Sequence, residues 1–137
     1  MDGKVFVVTG GAGGLGLTLA EALVEAGGHG KFFVTVIYPA ANSVPVYCLD
    51  RLPEPSQAFY DSAERGRARH YNGSIHYRQV DVQDAENLDS VIGEIASKYS
   101  RMDGLIAAAG VQNVQPALEY PPHKITEVRI IAMVTLI

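Results

Sequence analysis

Lys4-Val5-Phe6-Val7-Val8-Thr9-Gly10-Gly11-Ala12-Gly13-Gly14-Leu15-Gly16 is the stretch from which the rest of the chain can be read. A β-branched, apolar run empties into five glycines within seven positions. Without alternation, such a run reads as a strand buried on both faces of a parallel sheet. The glycines permit positive φ and close approach of the backbone to a ligand, so the free N–H groups of a following helix can face a pyrophosphate. Leu15, Leu19, Leu23 and Ala26 recur at helical spacing as the expected inward stripe, and Gly27-Gly28 ends that helix.

The 137 residues suffice for one ordinary domain, and 47% hydrophobic against 19% charged residues allow a packed core. A net charge of −4 argues against nucleic acid as a partner, because no Lys/Arg cluster supplies counterion release. Arg65, Arg67 and Arg69 form the densest basic stretch and read as a solvated helix face. The single cysteine, Cys48, lies in an apolar run and reads as a buried core thiol rather than a nucleophile. His29, His70, His76 and His123 have no ligand spacing, so no metal is expected. With no signal architecture and no apolar run of about 18 residues, the expectation is a cytoplasmic protein without a membrane partner.

Gly11-x-Gly13-x-x-Gly16 fits the general dinucleotide fingerprint, and Thr9-Gly10-x-x-x-Gly14-x-Gly16 fits better. At this spacing, directly after a strand, the segment resembles the cofactor loop of the short-chain dehydrogenase/reductase family. The resemblance implies a Rossmann-type three-layer α/β/α fold with a parallel sheet ordered 3-2-1-4. It also implies binding of a nicotinamide dinucleotide, NAD or NADP, with Thr9, Gly10, Gly14, Leu15 and Gly16 at the diphosphate.

A Rossmann unit carries an acidic residue at the end of its second strand, roughly 20 residues past the last glycine, for the adenosine ribose. Lys31 to Tyr38 has strong β composition but no terminal acid, whereas Val46 to Asp50 ends in the acid but lies 34 residues past Gly16 (50 − 16). Treating residues 30–45 as an insertion restores family spacing. Gly30-Lys31-Phe32 can be encoded with a splice-donor-like GTAAGT, which makes a translated intron one reading and a β-hairpin on the sheet edge the other. Asp50 at the strand end favours NAD through the ribose 2′-hydroxyl, and Arg51 beside it could pair with the phosphate of NADP.

Ser56 to Arg69 reads as a polar helix with Phe59, Ala63 and Tyr60 inward, and Ser74 to Val80 as a third strand with Ile75, Tyr77 and Gln79 on one face. In the resembled family the following pair, here Asp81-Val82, contacts the adenine. Asp81 is equally a strand-end turn residue. Asp84 is an N-cap for a helix over Ala85 to Tyr99 with Leu88, Val91, Ile92, Ile95 and Tyr99 as its stripe. Met102 to Gly110 supplies a fourth strand ending in Ala107-Ala108-Ala109-Gly110, where family members carry Asn-Asn-Ala-Gly. Ala108 and Gly110 still permit close approach of the ribose, without the Asn side chain that ties this strand to its neighbour.

Family catalysis uses a Ser and a Tyr-x-x-x-Lys pair on a later helix. Tyr120-Pro-Pro-His-Lys124 fits only the spacing: it lies 10 residues past Gly110 (120 − 110), leaves no room for a fifth strand, and its prolines suit a helix entrance. The resemblance thus covers residues 1–127 as a cofactor-binding half-domain that is catalytically incompetent alone. The apolar residues 128–137 read as a foreign tail or as a buried helix at a dimer interface. An uncovered fourth-strand edge beside that tail predicts self-association. A non-catalytic nucleotide-binding module and a fragment from a mis-spliced gene are the competing readings.

Overall fold

A computed structural model describes residues 4–28, 44–67, 73–110, 119 and 134–135. Val5 to Val8 are all buried, as a strand covered on both faces requires, and β1 (Phe6–Thr9) lies inside the sheet. The chain continues through α1 (Gly14–Gly28), β2 (Val44–Asp50), α2 (Gln57–Arg67), β3 (Gly73–Gln79), α3 (Ala85–Tyr99), β4 (Gly104–Ala107) and β5 (Val134–Thr135). The sheet order is β3-β2-β1-β4-β5, with the first four strands parallel in the expected 3-2-1-4 arrangement.

Period-two alternation divides β1 between two cores. Phe6 and Val8 join Val46, Cys48 and Ile75 under α1 and α2, which contribute Leu17, Ala20, Val24, Phe59 and Ala63. Val5 and Val7 join Tyr47, Leu49 and Val80 under α3, where Ile95 is buried and Leu88, Val91, Ile92 and Tyr99 pack around it. The result is three layers, helix on both faces of a parallel sheet.

Helix α3 has the expected bounds. Asp84 accepts the Asn87 N–H at 3.1 Å as its N-cap, and Ser100 closes it in the left-handed region at φ 53°. At the base of the sheet Asp103 joins β1 to β4. Its carboxylate accepts the Val5 N–H at 2.8 Å, and its own N–H donates to the Val5 carbonyl at 2.8 Å. The Arg101 guanidinium, with Nε 2.8 Å from Asp103 Oδ2, holds that carboxyl below the usual carboxylate range against the opposing effect of burial.

Four expectations are corrected. The inward face of α1 is Leu17, Ala20 and Val24 with Leu23 packed beside them, while Leu15 is 67% exposed, because the apolar residues of this helix surround it and two stripes fit the same spacing. Tyr60 is 52% exposed, because α2 has one buried stripe, Phe59, Ser62, Ala63 and Gly66, and Tyr60 lies about 100° from Phe59 around the axis. Strand β2 starts at Val44, so Val44 and Pro45 pair with Gly73 and Ser74. The fourth-strand edge is not uncovered: β5 pairs antiparallel to it, Leu105 with Thr135 and Ile106 with Val134. Lys31 to Tyr38, most of the 30–45 segment, Arg69, three of the histidines and Tyr120 to Lys124 lie outside the described residues.

Candidate functional site

All four parallel strands contribute their carboxyl ends to one open crevice. Gly10 enters from β1, Leu49, Asp50 and Arg51 from β2, Val80 to Gln83 from β3, and Ala109 and Gly110 from β4. The sheet order reverses between β1 and β4, and such a switch point leaves a gap that no connection crosses.

The glycine turn is built at backbone distance. Gly10 has φ +70°, and a Cβ there would lie 2.8 Å from the Ala108 carbonyl oxygen, so a side chain is excluded by conformation and by space. Its N–H donates to the Leu49 carbonyl at 2.7 Å, which ties the turn to β2. Gly14, at φ +54°, swings the chain into α1. A Cβ on Gly16 would lie 2.2 Å from the Gly10 carbonyl oxygen, so helix and turn are in direct contact. The Leu17 N–H donates to the Gly13 carbonyl at 3.2 Å and opens the helical ladder. The preceding N–H groups, Gly14 to Gly16, have no acceptor within the helix and form its positive end. Leu15 stands exposed beside them.

Asp50 is half-buried at the lip of the crevice and braced by backbone. Its Oδ2 accepts the Ala12 N–H at 3.2 Å and its Oδ1 the Leu52 N–H at 3.3 Å. Its carbonyl accepts the Val80 N–H at 2.8 Å and the Tyr77 hydroxyl at 3.3 Å. Asp81 lines the crevice, and its Oδ1 accepts the Gln83 N–H at 3.0 Å in a turn leading into α3. Thr9 is buried below the crevice, and its Oγ1 accepts the Ala109 N–H at 3.2 Å. That bond ties β1 to the end of β4.

Of the sequence-derived site residues, Gly10, Asp50, Arg51, Asp81, Val82 and Gly110 line the crevice together. Thr9, Gly14, Leu15 and Gly16 belong to the adjoining turn and helix start, and Ala108 turns its carbonyl to Gly10 while Ala109 takes the lining position. Sequence reasoning missed Leu49, Val80, Gln83 and Ala109, each one or two positions from a residue it named. It also missed Ser56, whose Oγ donates to the Ala12 carbonyl at 3.1 Å. Cys48 is fully buried beneath Gly11, and burial, then the Asp50 charge, push its thiol up to about 12, so it is no nucleophile at neutral pH. Among the described residues no group of three His, Cys, Asp or Glu could hold a metal, and no helix is long and apolar enough to cross a membrane.

The sequence profile of a family described as short chain dehydrogenase matches residues 4–136. The short-chain dehydrogenase/reductase VdtF of Byssochlamys spectabilis is 33% identical over 126 residues, which are 90% of this chain and 34% of that protein. Sorbitol-6-phosphate 2-dehydrogenase of Klebsiella pneumoniae is 30% identical over 109 residues, 79% of this chain and 30% of that protein. The chain therefore spans about a third of the length of the curated relatives it matches. A short chain dehydrogenase from Mycobacterium paratuberculosis, solved bound to NAD, shares the fold with a TM-score of 0.63 at 22% identity, over 94% of this chain and 45% of that one. With a matching profile over nearly its whole length and the glycine turn, strand order and crevice to go with it, this chain belongs to the short chain dehydrogenase family.

Proposed function

We propose that this chain binds a nicotinamide dinucleotide and is the cofactor-binding half of an oxidoreductase that moves hydride between that coenzyme and an alcohol or carbonyl. The observation that carries the reading is Asp50, a braced carboxylate at the lip of a switch-point crevice, adjoining a glycine turn whose helix-opening amides have no acceptor within the helix. An ionised carboxylate offers about four lone-pair sites. Two backbone donors leave capacity for the ribose hydroxyls. Asp81 and the Val82 backbone are suited to the adenine edge, the amides of Gly14 to Gly16 to the diphosphate, and Ala109 and Gly110 to a close-lying ribose.

Glycine at position 10 suits this reading, because a Cβ there would meet the Ala108 carbonyl oxygen and the Ala109 backbone and push the turn away from the end of β4. NAD is favoured over NADP, since a 2′-phosphate would meet the Asp50 charge, although Arg51 lines the same crevice. The residues of this chain bind and orient the coenzyme; the Ser and Tyr-x-x-x-Lys that exchange the substrate proton are not supplied by it, so it transfers no hydride alone. The inserted stretch in this reading ends before Val44, since Val44 and Pro45 pair in β2, and reads of mature transcripts lacking codons 30–43 would support it. Self-association, with β4 paired over Leu105 and Ile106, is assigned to the apolar 128–137 segment.

Fluorescence titration tests the proposal: NADH binds saturably and more tightly than NADPH, and Asp50→Ala narrows the difference. A folded, monodisperse preparation with no saturable binding of either coenzyme overturns it, and hydride transfer by the chain alone overturns its catalytic part.

A further inference from the structure

Ala12 lies in the middle of the glycine turn and is 2% exposed. Both of its polar backbone groups are held by side chains from the segment around the end of β2. Its N–H donates to Asp50 Oδ2 at 3.2 Å, and its carbonyl accepts from Ser56 Oγ at 3.1 Å, 44 residues away in sequence. These two groups belong to successive peptide planes, so pinning both fixes the φ and ψ of Ala12 between them. Ser56 directly precedes α2, a position where a serine hydroxyl ordinarily serves the N–H groups of its own helix. Here its proton is committed to the turn, and α2 opens on the Phe59 N–H to Ser56 carbonyl bond at 3.0 Å.

We infer that Ser56 is a positioning residue for the diphosphate, acting through Ala12: the Ser56 hydroxyl holds the Ala12 carbonyl toward the start of α2 and thereby aims the Gly13 N–H the opposite way. In a trans peptide the carbonyl and the following N–H are antiparallel, so the orientation of one dictates the other. The Gly13 N–H lies one residue ahead of the amides that open α1. A turn free to rotate at Ala12 would present it to ligand only part of the time. Asp50 and Ser56 thus connect the ribose-facing end of β2 to the diphosphate-facing turn through a single residue. The inference rests on the dinucleotide reading above.

Ser56 is itself exposed, so its truncation leaves the two cores intact. NADH affinity by fluorescence and adenosine affinity by NMR titration are compared in the wild type, Ser56→Ala and Ser56→Thr, with thermal unfolding as a control on folding. Adenosine lacks the diphosphate and reports the crevice alone. Ser56→Ala weakens NADH roughly 5–10-fold, the usual span for one hydrogen bond, and leaves adenosine within about twofold on the same scale. Ser56→Thr, which keeps the hydroxyl, restores NADH binding. Unchanged NADH affinity in Ser56→Ala, or an equal loss for NADH and adenosine, overturns the inference while the dinucleotide reading stands. Absence of NADH binding by the wild type overturns both.

Discussion

The two faces of the sheet are closed by different means. Toward α1 and α2 the contacts are at backbone distance: a methyl on Gly16 would lie 2.2 Å from the Gly10 carbonyl oxygen, and one on Gly73 2.5 Å from Val24 Cγ1. Toward α3 they are made by long side chains. Ile95 is the buried residue of that helix, and half-buried aliphatics surround it. Beside them the Tyr47 hydroxyl lies 3.1 Å from that of Tyr99 and 3.0 Å from Lys98 Nζ, with His76 stacked on the Tyr47 ring at 4.8 Å. Long side chains can shift rotamer to absorb a change, whereas a backbone oxygen in a pinned turn cannot. The face that carries the glycine turn is therefore the one without slack.

The largest effect should come from Gly16→Ala, which places a carbon against backbone: a loss of about 3 kcal/mol or more, read by denaturant unfolding. A near-neutral result would break the contrast. Ile95→Ala removes the central buried side chain of the other face, and its half-buried neighbours can partly collapse into the space. The expected cost is about 2–3 kcal/mol, the lower part of the range for such truncations, with coenzyme affinity per folded molecule unchanged.

The smallest effect is pH-dependent. Burial, then the positive charges of Lys98 and Arg67, hold His76 below the ordinary imidazole range. The unfolded chain then binds the proton more tightly than the folded one. The stability tied to neutral His76 is complete above a pH of about 6.5 and is lost as pH falls through the depressed folded value. His76→Phe keeps a ring on Tyr47 and should flatten the fall in melting temperature below that pH. An unchanged acid slope would remove His76 as its source.

Legibility followed how local the determining physics was. Helix α3 could be read to the residue because the Asp84 cap and the apolar stripe are short-range signals. Asp50 and Asp81 could be named because a strand end fixes where its next residue emerges. The buried face of α1 could not, since Leu15, Leu19 and Leu23 compete with Leu17, Ala20 and Val24, and the choice depends on how closely glycines let the helix approach the sheet. The Ser56 hydroxyl had two acceptable destinations, its own helix and a turn 44 residues earlier, and spacing cannot distinguish them. The partner of β4 depended on an antiparallel return by residues whose composition suits a helix or a strand equally.

The pairing of Phe6 with Gly104 and the Val5–Asp103 bonds, 98 residues apart in sequence, set a timetable for biosynthesis. The central strand leaves the ribosome ahead of both its neighbours, yet one of its two flanks cannot be occupied until nearly a hundred more residues have been added. At roughly 5–20 residues per second that is a delay of about 5–20 seconds. During that interval Val5 to Val8 is a nascent hydrophobic segment with an unfilled side, the form in which chaperones find their clients.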